Sequence, residues 1–250
     1  MTNREDYVLK KQKKELKPID LKKVKTYSIK KRKNLFKSEQ FGKPIESKDF
    51  NKFIDSLPKI LAANDLRNVI DNIVKAHRKN RPVVLALGAH VIKCGLSPLV
   101  IDLMKRGIIT AVAMNGSGAI HDYEISLIGE TSEDVSHSLK DGSFGMAKET
   151  AEAIQAAASV PDSGLGRALG NKILKDKNKH RKDSILAVGA QLKIPVTVHV
   201  AVGTDIIHMH PCVSGSDIGE SSHIDFKLLC SVVAGLEGGV WLNVGSAVIM

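Results

Sequence analysis

Four short stretches of the 250-residue chain join glycine to side chains that can hold or act on a ligand. They are Gly88-Ala89-His90, Asn115-Gly116-Ser117-Gly118, Gly203-Thr204-Asp205 followed by His208-Met209-His210, and Val244-Gly245-Ser246. Glycine lets a ligand approach the backbone closely, and the N–H groups that open a following helix favour phosphate. One such turn means little, but four together point to a nucleotide-sized pocket. Asp122 and Asp205 stand close behind two of these turns, where a carboxylate suits a cationic amine or a ribose hydroxyl. Glu124, Asp134, Asp141, Asp217 and Glu220 are read as solvated acids or helix caps.

Two further patterns bear on chemistry. His208 and His210 lie at i and i+2, so on an extended segment they point to one side and could share a metal. That leaves a metal-dependent hydrolase as an alternative reading, beside the plainer one of histidines lining a polar loop. His90 precedes Cys94 by one helical turn, with Lys93 adjacent, but a buried structural cysteine is the expectation for Cys94. The dinucleotide signature G-x-G-x-x-G is missing after the first strand. Gly116-Ser117-Gly118 runs on into Ala119, Ile120 and His121, so an ordinary Rossmann dehydrogenase is not expected.

The elements that must position these residues follow from hydrophobic periodicity. Val83–Leu87, Ile108–Met114, Val196–Val202 and Gly239–Val244 read as buried strands, all four ending near glycine or polar turns. Helices are expected over 50–62, 64–79, 91–106, 148–159, 165–174, 184–192 and 225–236, with 131–145 as loop. Strand, helix, strand with glycine after each strand is a βαβ unit. The expected fold is therefore α/β, a Rossmann-like, mostly parallel sheet flanked by helices. Its ligands belong beyond the carboxyl ends of the strands.

Charge divides the chain. Residues 1–37 carry fourteen Lys/Arg and four Asp/Glu, while the rest carries 23 of each sign. Residues 1–45 are thus expected as a basic, partly disordered arm, and 46–250 as the globular domain. Val24, Tyr27, Ile29, Leu35 and Phe36 could dock part of the arm. Nucleic acid is not the expected partner, because no aromatic platform accompanies the charge, although a non-catalytic assembly or RNA-binding role through the arm stays open. Three cysteines without CxxC spacing and no apolar leader point to a reducing, cytoplasmic setting. No apolar run is long enough for a membrane span.

At its strand ends the sequence resembles the deoxyhypusine synthase family. Val84-Leu85-Ala86-Leu87-Gly88-Ala89-His90-Val91-Ile92-Lys93-Cys94-Gly95 is similar to that family's first NAD strand and turn, and Ile109 to Asp122 to its second. Gln191 to Val196 resembles the helix-to-strand step before the family's aspartate-bearing turn, and Val244 to Val248 stands where it has a glycine-rich turn. The resemblance implies bound NAD, a homo-oligomer (a tetramer) and transferase chemistry on a polyamine or other small amine. It places Gly88, Ala89, His90, Asn115, Gly116, Ser117, Gly118, Gly245 and Ser246 at the cofactor. His121, Asp122, Asp205 and His208 fall at the substrate, with His121 in place of a family glutamate. The family's imine-forming lysine, in a Trp-Gly-Lys context, has no counterpart here. The domain is therefore expected to be incomplete at its C-terminus, and deoxyhypusine synthesis itself is not expected.

Overall fold

The computed structural model describes residues 21–38, 54 and 61–245. The expected helix over 50–62 and the segment from Ser246 to Met250 lie almost entirely outside them.

Val83–Leu87 (β2) is buried at every position, as a strand covered on both faces must be. It pairs in parallel with Ala111–Asn115 (β3) on one side and Val240–Val244 (β6) on the other. β3 in turn pairs in parallel with Val196–His199 (β5). The sheet order is β5-β3-β2-β6. The chain builds outward from β2 to β3 and β5, then crosses back so that β6 lies against the other edge of β2. That reversal is the switch point of a doubly wound sheet, and the Rossmann-like expectation holds.

Nine helices flank the strands among the described residues. Leu61–Arg78 (α1) precedes β2. Ala89–Lys93 (α2) and Ser97–Lys105 (α3) follow it, in place of the single helix expected over 91–106. The break falls at Gly95, which takes φ 78°, a left-handed conformation that costs glycine least. Gly116–Ile128 (α4) follows β3 and ends on Gly129 at φ 73°. Val135–Ser138 (α5), Lys148–Ala158 (α6), Leu165–Lys175 (α7) and Ile185–Leu192 (α8) lead to β5. Gly215–Ala234 (α9) leads to β6 and starts well before the expected Asp225. Its first turns are rich in Gly and Ser, poor helix formers, and they form because Ser214 Oγ caps Asp217 N. No helix of the described residues is long and apolar enough to cross a membrane.

Two glycines on α7 set how closely the layers approach. A Cβ on Gly166 would run into the carbonyl of Val196 in β5, and one on Gly170 into the carbonyl of Leu186 in α8. Two buried acids then fasten the same region. Asp122 accepts from Ser184 Oγ (2.5 Å), Ile185 N (2.7 Å) and Leu186 N (3.1 Å), which ties α4 to the first turn of α8. Asp225 accepts from Gly166 N and Val198 N, each at 2.8 Å, and ties α9 to α7 and β5. Burial outweighs these bonds and pushes both carboxyls up to about 6.

The basic leader is not wholly a loose tail. Asn34–Lys37 (β1) pairs antiparallel with Glu130–Glu133 (β4), inside the segment expected as loop. Glu-Thr-Ser-Glu has no apolar alternation, so only a distant partner makes it a strand. Ile29 is fully buried, and its N–H and the Ser28 hydroxyl both donate to Glu149 at the start of α6. Arg32 Nη2 meets Glu124 at 2.7 Å and its Nη1 meets Glu133 at 3.5 Å, with the Arg32 side chain 6% exposed and Glu124 1%.

Gly166→Ala and Gly170→Ala should each cost about 1–3 kcal/mol in urea unfolding. Gly219→Ala, in α9 with open space around it, should instead gain up to about 1 kcal/mol. Arg32→Ala strands two buried carboxylates and should cost about 3–5 kcal/mol by the same measurement. The raised acids work in the opposite direction to a paired one. Asp122 and Asp225 favour the fold fully below their ordinary 3.8, and that contribution is lost as pH rises through about 6. Stability profiles over this window should be flatter for Asp122→Asn and Asp225→Asn than for the unmutated chain.

Candidate functional site

One stripe of α4 faces a cleft of about 300 Å3 beyond the carboxyl ends of β3 and β5. Ser117, Ile120, His121 and Glu124 recur at helical spacing, so a single face of the helix presents all four. Lys93 enters from the end of α2 and Glu133 from β4. Ala147, Thr150 and Ala151 come from the start of α6, Thr204 to Ile207 from the turn after β5, and Arg32 from the leader.

The cleft's polar wall is a bonded network. Glu124 takes the Arg32 guanidinium on Oε2, Thr131 Oγ1 also on Oε2 at 2.5 Å, and Thr150 Oγ1 on Oε1 at 3.2 Å. His121 Nδ1 lies 2.7 Å from the same Thr131 Oγ1 and 3.8 Å from Glu124. Burial works to raise the Glu124 carboxyl. The contact with His121 and the charge of Arg32 outweigh it and hold the carboxyl at about 2. Its contribution to stability is therefore present above the ordinary 4.5 and lost as pH falls toward 2. Glu133 accepts from Tyr27 Oη at 2.9 Å and Gly145 N at 3.0 Å. Burial and Glu133 together push the Tyr27 phenol up.

The other carboxylate of the cleft is less committed. Among the described residues, Asp205 accepts one bond, on Oδ2 from Ala201 N at 3.1 Å, and the side chain is partly exposed. It lies against Gly116, where any Cβ would collide with the carboxylate. Among the described residues, three carboxylates (Glu124, Glu133, Asp205) and two cations (Arg32, Lys93) line the cleft, a balance of one negative charge.

The residues singled out by sequence divide into three groups. His121, Ser117 and Asp205 line the cleft. Gly88, Ala89, His90 and Gly245 gather at the switch point instead. Gly88 N donates to Val244 O at 3.0 Å, and a Cβ on Gly245 would sit 3.7 Å from Gly88 N. α2 joins the two places, with Ala89 and His90 at one end and Lys93 at the other. The third group is built into the frame. Asp122, one position off the α4 stripe, points into the interior and holds α8. Asn115 Oδ1 caps α4 through Gly118 N at 2.9 Å, and Gly118 packs on Met114. Gly116 is covered by Asp205. Ser246 lies outside the described residues.

The His208 to His210 segment is a 3-10 turn over Ile206–Met209, not the extended strand that would align the two rings. His210 is buried, its Nδ1 3.1 Å from Cys212 Sγ. The Nε2 atoms of His208 and His210 are buried without a partner among the described residues. No three His, Cys, Asp or Glu side chains among the described residues come together as a metal site. Cys94, expected in the core, is exposed.

Sequence reasoning missed Arg32, Glu124, Thr131, Glu133 and Thr150 as members of the site. Arg32 was one cation among many, and Thr131 and Glu133 sat in an apparent loop. Only the four- and three-residue steps from Ser117 to His121 to Glu124, with Ile120 between, carry a signal within the sequence.

No protein-family model matches the chain, and no curated protein matches it. Among solved structures, one from Entamoeba histolytica, provisionally assigned as a deoxyhypusine synthase, is similar to it. That chain is 13% identical, the match covers 76% of this chain and 78% of that one, and the TM-score is 0.46. A likeness of that degree assigns neither a residue nor an activity.

Proposed function

We propose that this chain is an NAD-binding protein that performs hydride-transfer chemistry on a polyamine or other small amine held in the α4 cleft. The observation behind the proposal is the reversal of strand order between β2 and β6. The backbones of Gly88 and Gly245 meet there, one short helix away from a cleft that carries an uncommitted carboxylate. Ligands of open parallel sheets bind at such a reversal.

The residues fit a dinucleotide in part. Gly88 and Gly245 present no side chain at the carboxyl ends of the paired strands β2 and β6, and Gly245 holds φ 74°. Ser117 would take a ribose hydroxyl. The N-terminus of α4 fits phosphate poorly, because the Asp205 carboxylate already lies against Gly116. Phosphates therefore belong with Gly88, Ala89, His90 and Gly245. When bound, NAD supplies an acceptor for hydride. The chain's own residues do the remainder. The net negative charge of the cleft favours an ammonium group, Asp205 gives it a carboxylate partner, and the apolar wall of Ile120, Ala147 and Ala151 excludes water from its carbon chain.

Calorimetric titration of NAD into the full chain tests the reading. The chain should bind with a Kd in the millimolar range or below. Gly245→Val, which forces a branched residue to a left-handed φ at the end of β6, should weaken binding at least about tenfold, or 1.4 kcal/mol. Absence of binding at millimolar NAD, or equal binding by the variant, contradicts it.

A further inference from the structure

We infer that His121 is the proton acceptor of the cleft, working through Nε2, and that Thr131 and Glu124 fix it in that role by dictating its tautomer. The inference rests on the cleft being the ligand site proposed above, but not on NAD.

The protons of this network can be counted. Glu124 is buried, touches the Arg32 guanidinium at 2.7 Å and stays ionised, so it can only accept. Thr131 has one hydroxyl proton, and its Oγ1 stands 2.5 Å from Glu124 Oε2. That proton is committed to the carboxylate. The 2.7 Å contact between Thr131 Oγ1 and His121 Nδ1 then needs its hydrogen from the ring. His121 must carry its hydrogen on Nδ1, and in the neutral ring Nε2 is left with a lone pair. No described residue bonds to Nε2, nor is that atom among the buried atoms lacking a partner. It is therefore open to the cleft that the ring lines.

A free imidazole has no such constraint, so the arrangement is built. Thr150 on α6 and Arg32 on the leader hold Glu124 from the far side, Thr131 on β4 transmits the orientation, and α4 carries the ring. Lys93, Asp205 and Glu133 are the other charged groups facing the cleft among the described residues. A ligand ammonium or hydroxyl placed beside His121 would give up its proton to Nε2. The N–H or O–H bond breaks, an Nε2–H bond forms, and the ligand is left with a lone pair. The resulting imidazolium keeps its Nδ1–H on Thr131, with the Glu124 carboxylate 3.8 Å away to offset its charge. Removing a proton from an ammonium is what a hydride transfer from the neighbouring carbon requires. His121 is the catalytic residue here, and Thr131 and Glu124 are positioning residues.

The tautomer can be read directly. Nitrogen-15 labelling of histidine in the full chain, with ring nitrogens resolved by long-range proton correlation near pH 8, distinguishes Nδ1–H from Nε2–H without cofactor or substrate. His121 should show protonated Nδ1 and bare Nε2. Thr131→Ser should keep that pattern, and Thr131→Val should shift it toward Nε2–H. A wild-type spectrum with protonated Nε2 and bare Nδ1 overturns the inference, even if the valine variant fails to fold. Retention of the pattern in a folded Thr131→Val overturns the positioning role. Failure of NAD titration with the tautomer as stated would instead count against the cofactor reading alone.

Discussion

A carboxylate with almost no exposure, Glu124, governs how this molecule is put together. A charge so deep in protein must be paired and bonded or it destabilises the fold. Its partner lies 92 residues away in the sequence, Arg32 in the basic leader. Satisfying Glu124 fixes three things at once. It lays the leader against the body, it makes a strand of Glu130–Glu133 by bringing β1 beside it, and it orients Thr131 toward His121. The cleft wall and the leader's docking are one network seen from two sides.

The sheet provides the second constraint. Its four parallel strands leave their carboxyl ends in one layer, and the crossover from α9 to β6 brings Gly245 beside Gly88. The close approach of α7 to β5 and α8, permitted by Gly166 and Gly170, keeps the turn after β5 facing α4. Asp122 and Asp225 contribute to this frame from within the core. Their position shows why a carboxylate near a strand end is an ambiguous signal. The same residue type that would greet a ligand can equally terminate a helix or anchor a layer, and one step of 100° along α4 decides which.

This explains what was legible in the sequence. Val83–Leu87 was plain because a five-residue apolar run in a central strand is decided locally. The α/β order and the glycine turns followed in the same way. Gly95 breaking a helix was harder, since its left-handed φ is a property of the backbone and glycine also occurs in helices. The β4 strand and Arg32 could not be read, because each depends on a partner roughly a hundred residues distant. His208 and His210 were misjudged in geometry, since i and i+2 share a side only on extended chain and this segment coils. At the site, Ser117, His121 and Asp205 stand out one by one in the sequence, but the helix over Gly116–Ile128 that aligns a stripe and the network behind it do not.

Glu124 and Arg32 act as one unit in this structure. A double-mutant cycle in urea on Arg32→Met, Glu124→Gln and the pair measures that directly. The structure predicts a coupling energy of about 2–3 kcal/mol, with the double variant much less unstable than the two single losses added together. Additive losses, with coupling below about 0.5 kcal/mol, would mean that the leader and the cleft are organised independently.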